Sequence, residues 1–91
     1  MFTLDDRIML VDLSNFSLGA KITVYEGDEI MLRHTVSDVS EVKEKVIEIV
    51  EEMEVKHVFI KPLATSDRAK TLEDFKNSFS KIIDKINLHM L

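Results

Sequence analysis

Ile8-Met9-Leu10-Val11-Asp12 is the stretch that decides the fold, because four consecutive apolar residues are followed directly by an acid. A short run that is apolar on both faces predicts a central strand covered from both sides. His57-Val58-Phe59-Ile60 has the same character and stops at Lys61-Pro62. We expect these two strands to run parallel in the middle of one sheet, with helices on its opposite faces.

Two alternating segments lie between these strands, at residues 18–25 and 29–36. Their period of two predicts an antiparallel hairpin. A two-residue turn would mix apolar and polar side chains on each face of the sheet. A three-residue loop, Glu26-Gly27-Asp28, pairs Val24 with Ile30 and keeps one face apolar, so we predict that loop.

Two apolar stripes at helical spacing predict two helices. The first covers residues 38–54 and begins with a capping-box pattern. The second begins at Thr71, or one to two turns earlier at Ser66 or Asp67. Residues 88–91 are either a last strand or the end of this helix. The second stripe consists of Leu72, Phe75, Phe79, Ile82 and Ile86.

The order of these elements predicts a mixed α/β (α+β) fold. We expect a small mixed sheet in the order βββαβα(β), with antiparallel hairpin strands plus a parallel strand and two helices packed on the sheet. The length of 91 residues fits one globular domain, residues 1–91.

The composition is that of an ordinary globular protein, with 45% hydrophobic and 32% charged residues and a net charge of −5. The acidity argues against nucleic acid as a partner, because the one small cluster of cations is Arg68 and Lys70, with Lys61 nearby. The chain has no cysteine, which excludes thiolate chemistry and agrees with a cytoplasmic location. No apolar run approaches the ~20 residues that span a bilayer, so no membrane contact is expected. Abundant Glu and Lys without Gln favour a thermophilic origin.

This order of elements, with Asp12 at the end of the first strand, resembles the ribonuclease H-like fold group. In that group the matching aspartate binds Mg²⁺, and a second acid near the end of the fourth strand corresponds to Asp67. The actin and sugar-kinase branch holds phosphate and metal in the same region. The resemblance implies a metal site at Asp12 and Asp67. The group's glutamate on the first helix has no inward-facing match, because Glu44 and Glu48 fall opposite the apolar stripe.

The residues alone leave two interpretations of each candidate site. Asp12 is either a metal ligand or phosphate-orienting group, or an aspartate that caps the following turn. The segment after the fourth strand is either an anion site, because ligands of open α/β sheets bind at the carboxyl ends of parallel strands, or a solvated connection with a helix cap. The predicted ligand- or anion-binding residues are Ser14, Thr65, Ser66, Arg68 and Lys70.

No complete catalytic set stands out, and the three histidines lack metal-ligand spacing. Our main expectation is therefore a non-enzymatic binding or assembly module without a cofactor, which forms a homo-oligomer or binds a protein partner. Spare apolar residues that suit a homodimer patch are Phe2, Leu4, Phe16 and Met90. The alternative is a ribonuclease H-like metal- or phosphate-binding domain that uses Asp12 and Asp67 with Mg²⁺.

Overall fold

A computed structural model describes residues 6–14, 19–63 and 67–91 of the chain. These residues form the mixed α/β fold that the sequence predicts, with a fifth strand where the sequence left strand and helix open. The elements are β1 (Arg7–Asp12), β2 (Ala20–Glu26), β3 (Glu29–Val36), α1 (Val39–Met53), β4 (His57–Lys61), α2 (Arg68–Ser78) and β5 (Asn87–Met90).

The five strands form one sheet in the order β3-β2-β1-β4-β5. β1 lies at the centre, antiparallel to β2 and parallel to β4, and β5 is parallel to β4. The predicted parallel pairing of β1 with β4 is therefore confirmed. The carboxyl ends of β1, β4 and β5 consequently meet at one edge of the sheet.

The hairpin of β2 and β3 forms, but the predicted register is wrong. The turn has two residues, Gly27 and Asp28, and Val24 pairs with Leu32 rather than with Ile30. A β-bulge follows Val24, where the extra residue Met31 shifts the register by one position. The bulge returns Leu32 and Val36 to the face of Val24 and Ala20, whereas Ile30 pairs with Tyr25 and is 49% exposed.

Both helices begin at aspartates. Asp38 caps α1, and its side chain accepts a hydrogen bond from the backbone N–H of Ser40. Asp67 caps α2, which settles the open choice of its first turn. The predicted continuation of this helix to residue 86 is wrong, because α2 ends at Ser78 and turns with i to i+3 hydrogen bonds follow. Within the described part of the chain, neither helix is long and apolar enough to span a membrane.

One core joins both helices to one face of the sheet. Met9, Val11, Val58 and Ile60 from alternating positions of β1 and β4 form a single buried cluster with apolar side chains of α1 and α2. The prediction that the helices cover opposite faces is therefore wrong. The chain passes from β3 through α1 to β4, and from β4 through α2 to β5, in the same direction across the sheet, so two right-handed crossovers place their helices on the same side.

Candidate metal and phosphate site

The strand order determines which polar residues meet at the carboxyl edge of the sheet. Asp12 is the last residue of β1 and pairs with Lys61, the last residue of the parallel strand β4. The chain leaves this edge after Lys61 and enters α2, whose N-cap is Asp67. Both predicted metal ligands thus follow or end parallel strands, where open α/β sheets bind ligands.

Asp12 holds the turn that follows β1. Its Oδ1 accepts a hydrogen bond from the backbone N–H of Ser14 at 2.9 Å and another from the Ser14 hydroxyl at 2.6 Å. The capping interpretation of Asp12 is thereby confirmed. It does not use the whole carboxylate, because both of these hydrogen bonds end on Oδ1.

Two lysines flank Asp12 on the neighbouring strands. Lys21 of β2 and Lys61 of β4 are its direct cross-strand partners, and both side chains are exposed. The Ser14 hydroxyl is the largest influence on the pKa of Asp12 and lowers it, partial burial opposes this, and the Ser14 N–H and the charges of Lys61 and Lys21 lower it further. Asp12 therefore stays ionised below the ordinary range of an aspartate.

Asp67 is a predicted metal ligand that also caps the start of α2. Its Oδ1 accepts a hydrogen bond from the backbone N–H of Lys70 at 3.1 Å, and its carbonyl accepts one from the Thr71 hydroxyl. The side chains of Arg68 and Lys70 are exposed in the first turn of this helix. The other two predicted anion-binding residues, Thr65 and Ser66, lie outside the described residues.

The donor set at this edge fits a magnesium ion held by few protein ligands. The hydrogen bonds of Asp12 and Asp67 described above end on Oδ1, so Oδ2 of each side chain is the oxygen suited to a cation. Among the described residues, no group of three or more histidine, aspartate or glutamate side chains is close enough to bind a metal. Mg²⁺ is commonly bound by one or two carboxylates together with waters and substrate phosphate, so a pair of acids suffices.

The glutamates of the first helix do not approach this site. Glu44 and Glu48 are exposed, as the sequence predicts, and Glu48 forms an ion pair with Lys45 at 3.5 Å. They line a shallow cavity of about 270 Å³ together with the end of β3, including His34. This cavity lies beside an outer strand, whereas Asp12 ends the central one.

Neither Lys21 nor the cluster of His57, Phe59 and His89 was predicted from the sequence. In its alternating strand Lys21 looks like one more solvent-facing position, and only the pairing of β1 with β2 brings it beside Asp12. His57 is 8% exposed and contacts Asp6, with 3.3 Å between Nε2 and Oδ2. His89 stacks on Phe59 with ring centroids 4.6 Å apart. The alternation of side chains along β4 places His57, Phe59 and Lys61 on one face, and this pattern could have predicted the cluster.

The predicted homodimer patch receives no support from the described residues. Met90 packs against the core on the side of the helices. Phe2, Leu4 and Phe16 lie outside the described residues.

No protein-family model matches this sequence, and no curated protein matches it. Among solved structures, the chain is similar to the nuclease domain of the large terminase subunit of bacterial virus Sf6, a mutant determined with manganese. The TM-score is 0.69 at 15% identity, over 94% of this chain and 37% of that one. The same domain with calcium gives a TM-score of 0.70 at 15% identity and the same coverage.

A third similar structure is a Bacteroides thetaiotaomicron protein with an actin-like ATPase fold and unknown function. Its TM-score is 0.60 at 11% identity, over 96% of this chain and 33% of that one. This chain thus spans about a third of the length of the proteins it matches. Identities this low show the fold alone, and the fold is ribonuclease H-like, as the resemblance of the sequence predicted.

These neighbours correct the main functional expectation. The sequence favoured a non-enzymatic binding or assembly module, whereas two of the structures that share the fold are nuclease domains. The expectation depended on the lack of a complete catalytic set, which is a weak criterion for a site built from two carboxylates and a metal ion. The alternative, a metal- or phosphate-binding domain of ribonuclease H-like fold, is the better interpretation.

Proposed function

We propose that this chain is a ribonuclease H-like domain that binds Mg²⁺ and a phosphate group at the edge of the sheet formed by Asp12 and Asp67. The observation that carries the proposal is Asp12, a carboxylate with a lowered pKa at the carboxyl end of the central strand, whose two hydrogen bonds from Ser14 both end on Oδ1. We assign Oδ2 to the cation. Asp67 begins the helix that follows the neighbouring strand.

The roles of the residues follow from their chemistry. Oδ2 of Asp12 and of Asp67 would hold the ion, with waters and phosphate oxygens completing its shell. The cations of the first turn of α2, Arg68 and Lys70, would contact the phosphate, together with Thr65 and Ser66. Ser14 would join them once its hydroxyl turns from Asp12 Oδ1 to the phosphate. When bound, such an ion polarises a phosphoryl oxygen and lowers the pKa of a water, which is the chemistry of phosphoester hydrolysis.

The wider context of the domain is also a proposal. Residues 1–91 would fold as one domain, because the single core of the described residues draws on six of the seven elements and β5 packs against it through Leu88 and Met90. Association of copies, a cytoplasmic location and a thermophilic origin stay predictions.

The test is a titration of ¹⁵N-labelled protein with Mn²⁺, followed by amide NMR. Paramagnetic broadening centred on Asp12, Ser14 and Asp67 is the expected result, and it should be reversed by excess Mg²⁺. Broadening that is spread over the acidic helix α1, or absent at the site, would count against the proposal.

Two isosteric variants separate the metal site from the structural role of each acid. Asp12→Asn retains an acceptor for Ser14, and Asp67→Asn retains a good N-cap, so both should fold normally. In each variant, at least tenfold more Mn²⁺ should be needed to produce the same broadening at the site. Asp28→Asn is the matched control, because Asp28 is exposed in the hairpin turn at the opposite edge of the sheet.

A further inference from the structure

The face of the sheet that the helices leave uncovered has its own pattern of residues. We call it the open face; it consists of the positions that alternate with the core positions of each strand. The registers place Lys21, Asp12 and Lys61 in one row across β2, β1 and β4. Within the described part of the chain, both helices contribute to the core on the other side.

The charges of the two sides of the sheet differ in sign. The open face carries three cations, Lys21, Arg33 and Lys61, all of them exposed. Its described acids are Asp12 and Asp6, and Asp6 contacts His57. Helix α1 on the opposite side carries five glutamates against two lysines, Lys43 and Lys45. Although the net charge of the chain is −5, the open face carries more cations than acids among the described residues and suits a polyanion.

An exposed ring lies close to this row. His89 of β5 is exposed, is the register partner of Phe59 and stacks on its ring with an interplanar angle of 17°. A planar ring supported from behind by a second ring suits stacking of a nucleobase on its outer side. Phe59 precedes Lys61 by two positions on β4, so the Phe59 ring and the Lys61 cation lie on the same face, about 7 Å apart along the strand. The His89 ring lies beside Phe59 on the neighbouring strand.

We infer that the open face binds a single-stranded nucleic acid, with backbone phosphates on Lys21 and Lys61 and a base stacked on His89. The span from β3 to β5 covers four strand spacings, roughly 19 Å, which exceeds a single nucleotide and favours a polymer. A single strand is required because the faces of the bases in a duplex are already stacked on one another. Asp12 lies in the same row, so a bound strand would present a phosphate to the proposed metal site, and only this last point depends on the proposed function.

The test measures binding of a fluorescent oligothymidine by anisotropy, in EDTA and over a range of salt concentrations. Replacing two phosphate contacts in Lys21→Gln/Lys61→Gln should reduce the slope of log K against log salt by roughly 1.4. His89→Ala should weaken binding roughly 5- to 150-fold and leave the slope unchanged. Lys76→Gln is the matched control, because Lys76 is an exposed lysine on α2.

A second variant guards against loss of structure in His89→Ala. His89→Phe retains a ring on Phe59 and should bind the oligonucleotide at least as tightly as the native chain. An equal loss of affinity in Lys76→Gln and in the double lysine variant would overturn the inference, as would unchanged binding in every variant. Binding of ATP without binding of the oligonucleotide would also overturn it, and would identify a mononucleotide site.

The use of EDTA separates this inference from the proposed function. If the oligonucleotide binds in EDTA but Mn²⁺ does not broaden Asp12, the proposed metal site is wrong and the nucleic-acid surface is supported. If Mn²⁺ broadens Asp12 but the oligonucleotide does not bind, the metal site is supported and the nucleic-acid surface is wrong.

Discussion

Asp12 offers the sharpest test of how one side chain combines a structural and a chemical role. Asp12→Ala removes the acceptor of two hydrogen bonds from Ser14, whereas Asp12→Asn keeps a neutral acceptor and removes only the charge. Any difference between the two variants therefore reports the hydrogen bonds. Any difference between Asp12→Asn and the native chain reports the charge between Lys21 and Lys61.

The structure sets the size of both effects. A net intramolecular hydrogen bond contributes about 0.5–1.5 kcal/mol, and Ser14 is exposed, so water replaces part of the loss. We expect Asp12→Ala to lower the free energy of unfolding by about 1 kcal/mol at pH 7. Hydrogen bonds to a neutral acceptor are about half as strong as charge-assisted ones, so Asp12→Asn should lose about 0.5 kcal/mol.

The pH dependence supplies an independent check. The folded-state pKa of Asp12 is lowered, chiefly by the Ser14 hydroxyl, so the unfolded chain binds the proton more readily than the folded one. The stabilisation by its charge is complete above the unfolded pKa of about 3.9 and is lost as the pH falls through the lower folded value. Asp12→Asn lacks this contribution, so the native chain and this variant should converge in stability in acid.

Urea denaturation followed by circular dichroism, at pH 7 and at several values between pH 5 and pH 2, measures all three chains. Equal destabilisation of Asp12→Asn and Asp12→Ala at pH 7 would show that the hydrogen bonds from Ser14 do not stabilise the fold. A difference between the native chain and Asp12→Asn that stays the same at every pH would show that the charge of Asp12 does not.

Three further predictions use the same denaturation assay. Phe79→Ala should lose about 3–5 kcal/mol because Phe79 is fully buried, while Leu63→Ala, at 42% exposure, should lose less than about 0.5; similar losses would contradict the assigned core. Asp67→Ala should lose about 0.5–2 kcal/mol as an N-cap and Asp67→Asn almost nothing; an equal loss would mean that charge, not capping, matters. Gly19→Ala should lose about 1–3 kcal/mol, because Gly19 has φ +90° and an added Cβ would lie 3.0 Å from the Val36 carbonyl oxygen. Gly27→Asn, at φ 64°, should be tolerated, and a larger loss in Gly27→Asn than in Gly19→Ala would refute this account.

Local patterns predicted the elements because each has a short-range physical cause. Residues 8–11 and 58–60 are apolar at every position, and the caps at Asp38 and Asp67 precede apolar stripes. These features depend on neighbours within one or two turns, which the sequence displays directly. The parallel pairing of β4 with β1 was predicted because a helix between two buried strands is typical of a right-handed crossover.

The errors arose where two segments distant in sequence decide the outcome. The bulge at Met31 brings Leu32 and Val36 onto the face of Val24 and Ala20, and neither strand alone requires it. Ile82 and Ile86 are buried through turns rather than through a helix, because successive turns reproduce helical spacing. The apolar residues Ile8 and Leu10 suggested a second covered face, but both are only half-buried.

The candidate site shows the same division. Asp12 and Asp67 were predictable because each follows an identifiable strand or opens a helix. The row of Lys21, Asp12 and Lys61 was not, because its members come from three strands whose registers are fixed by pairing. Charge alternation within one strand carries no information about which residue lies opposite.

The central position of β1 also has a consequence for synthesis on the ribosome. Residues 7–36 contain β1, β2 and β3, which pair with near neighbours and can form as soon as they emerge. The other edge of β1 has no partner until His57 and the rest of β4 have been made. During that interval an unpaired strand edge is open to strands of other nascent chains. Translation that stalls within α1 should therefore reduce the yield of folded protein while leaving the stability of the finished domain unchanged.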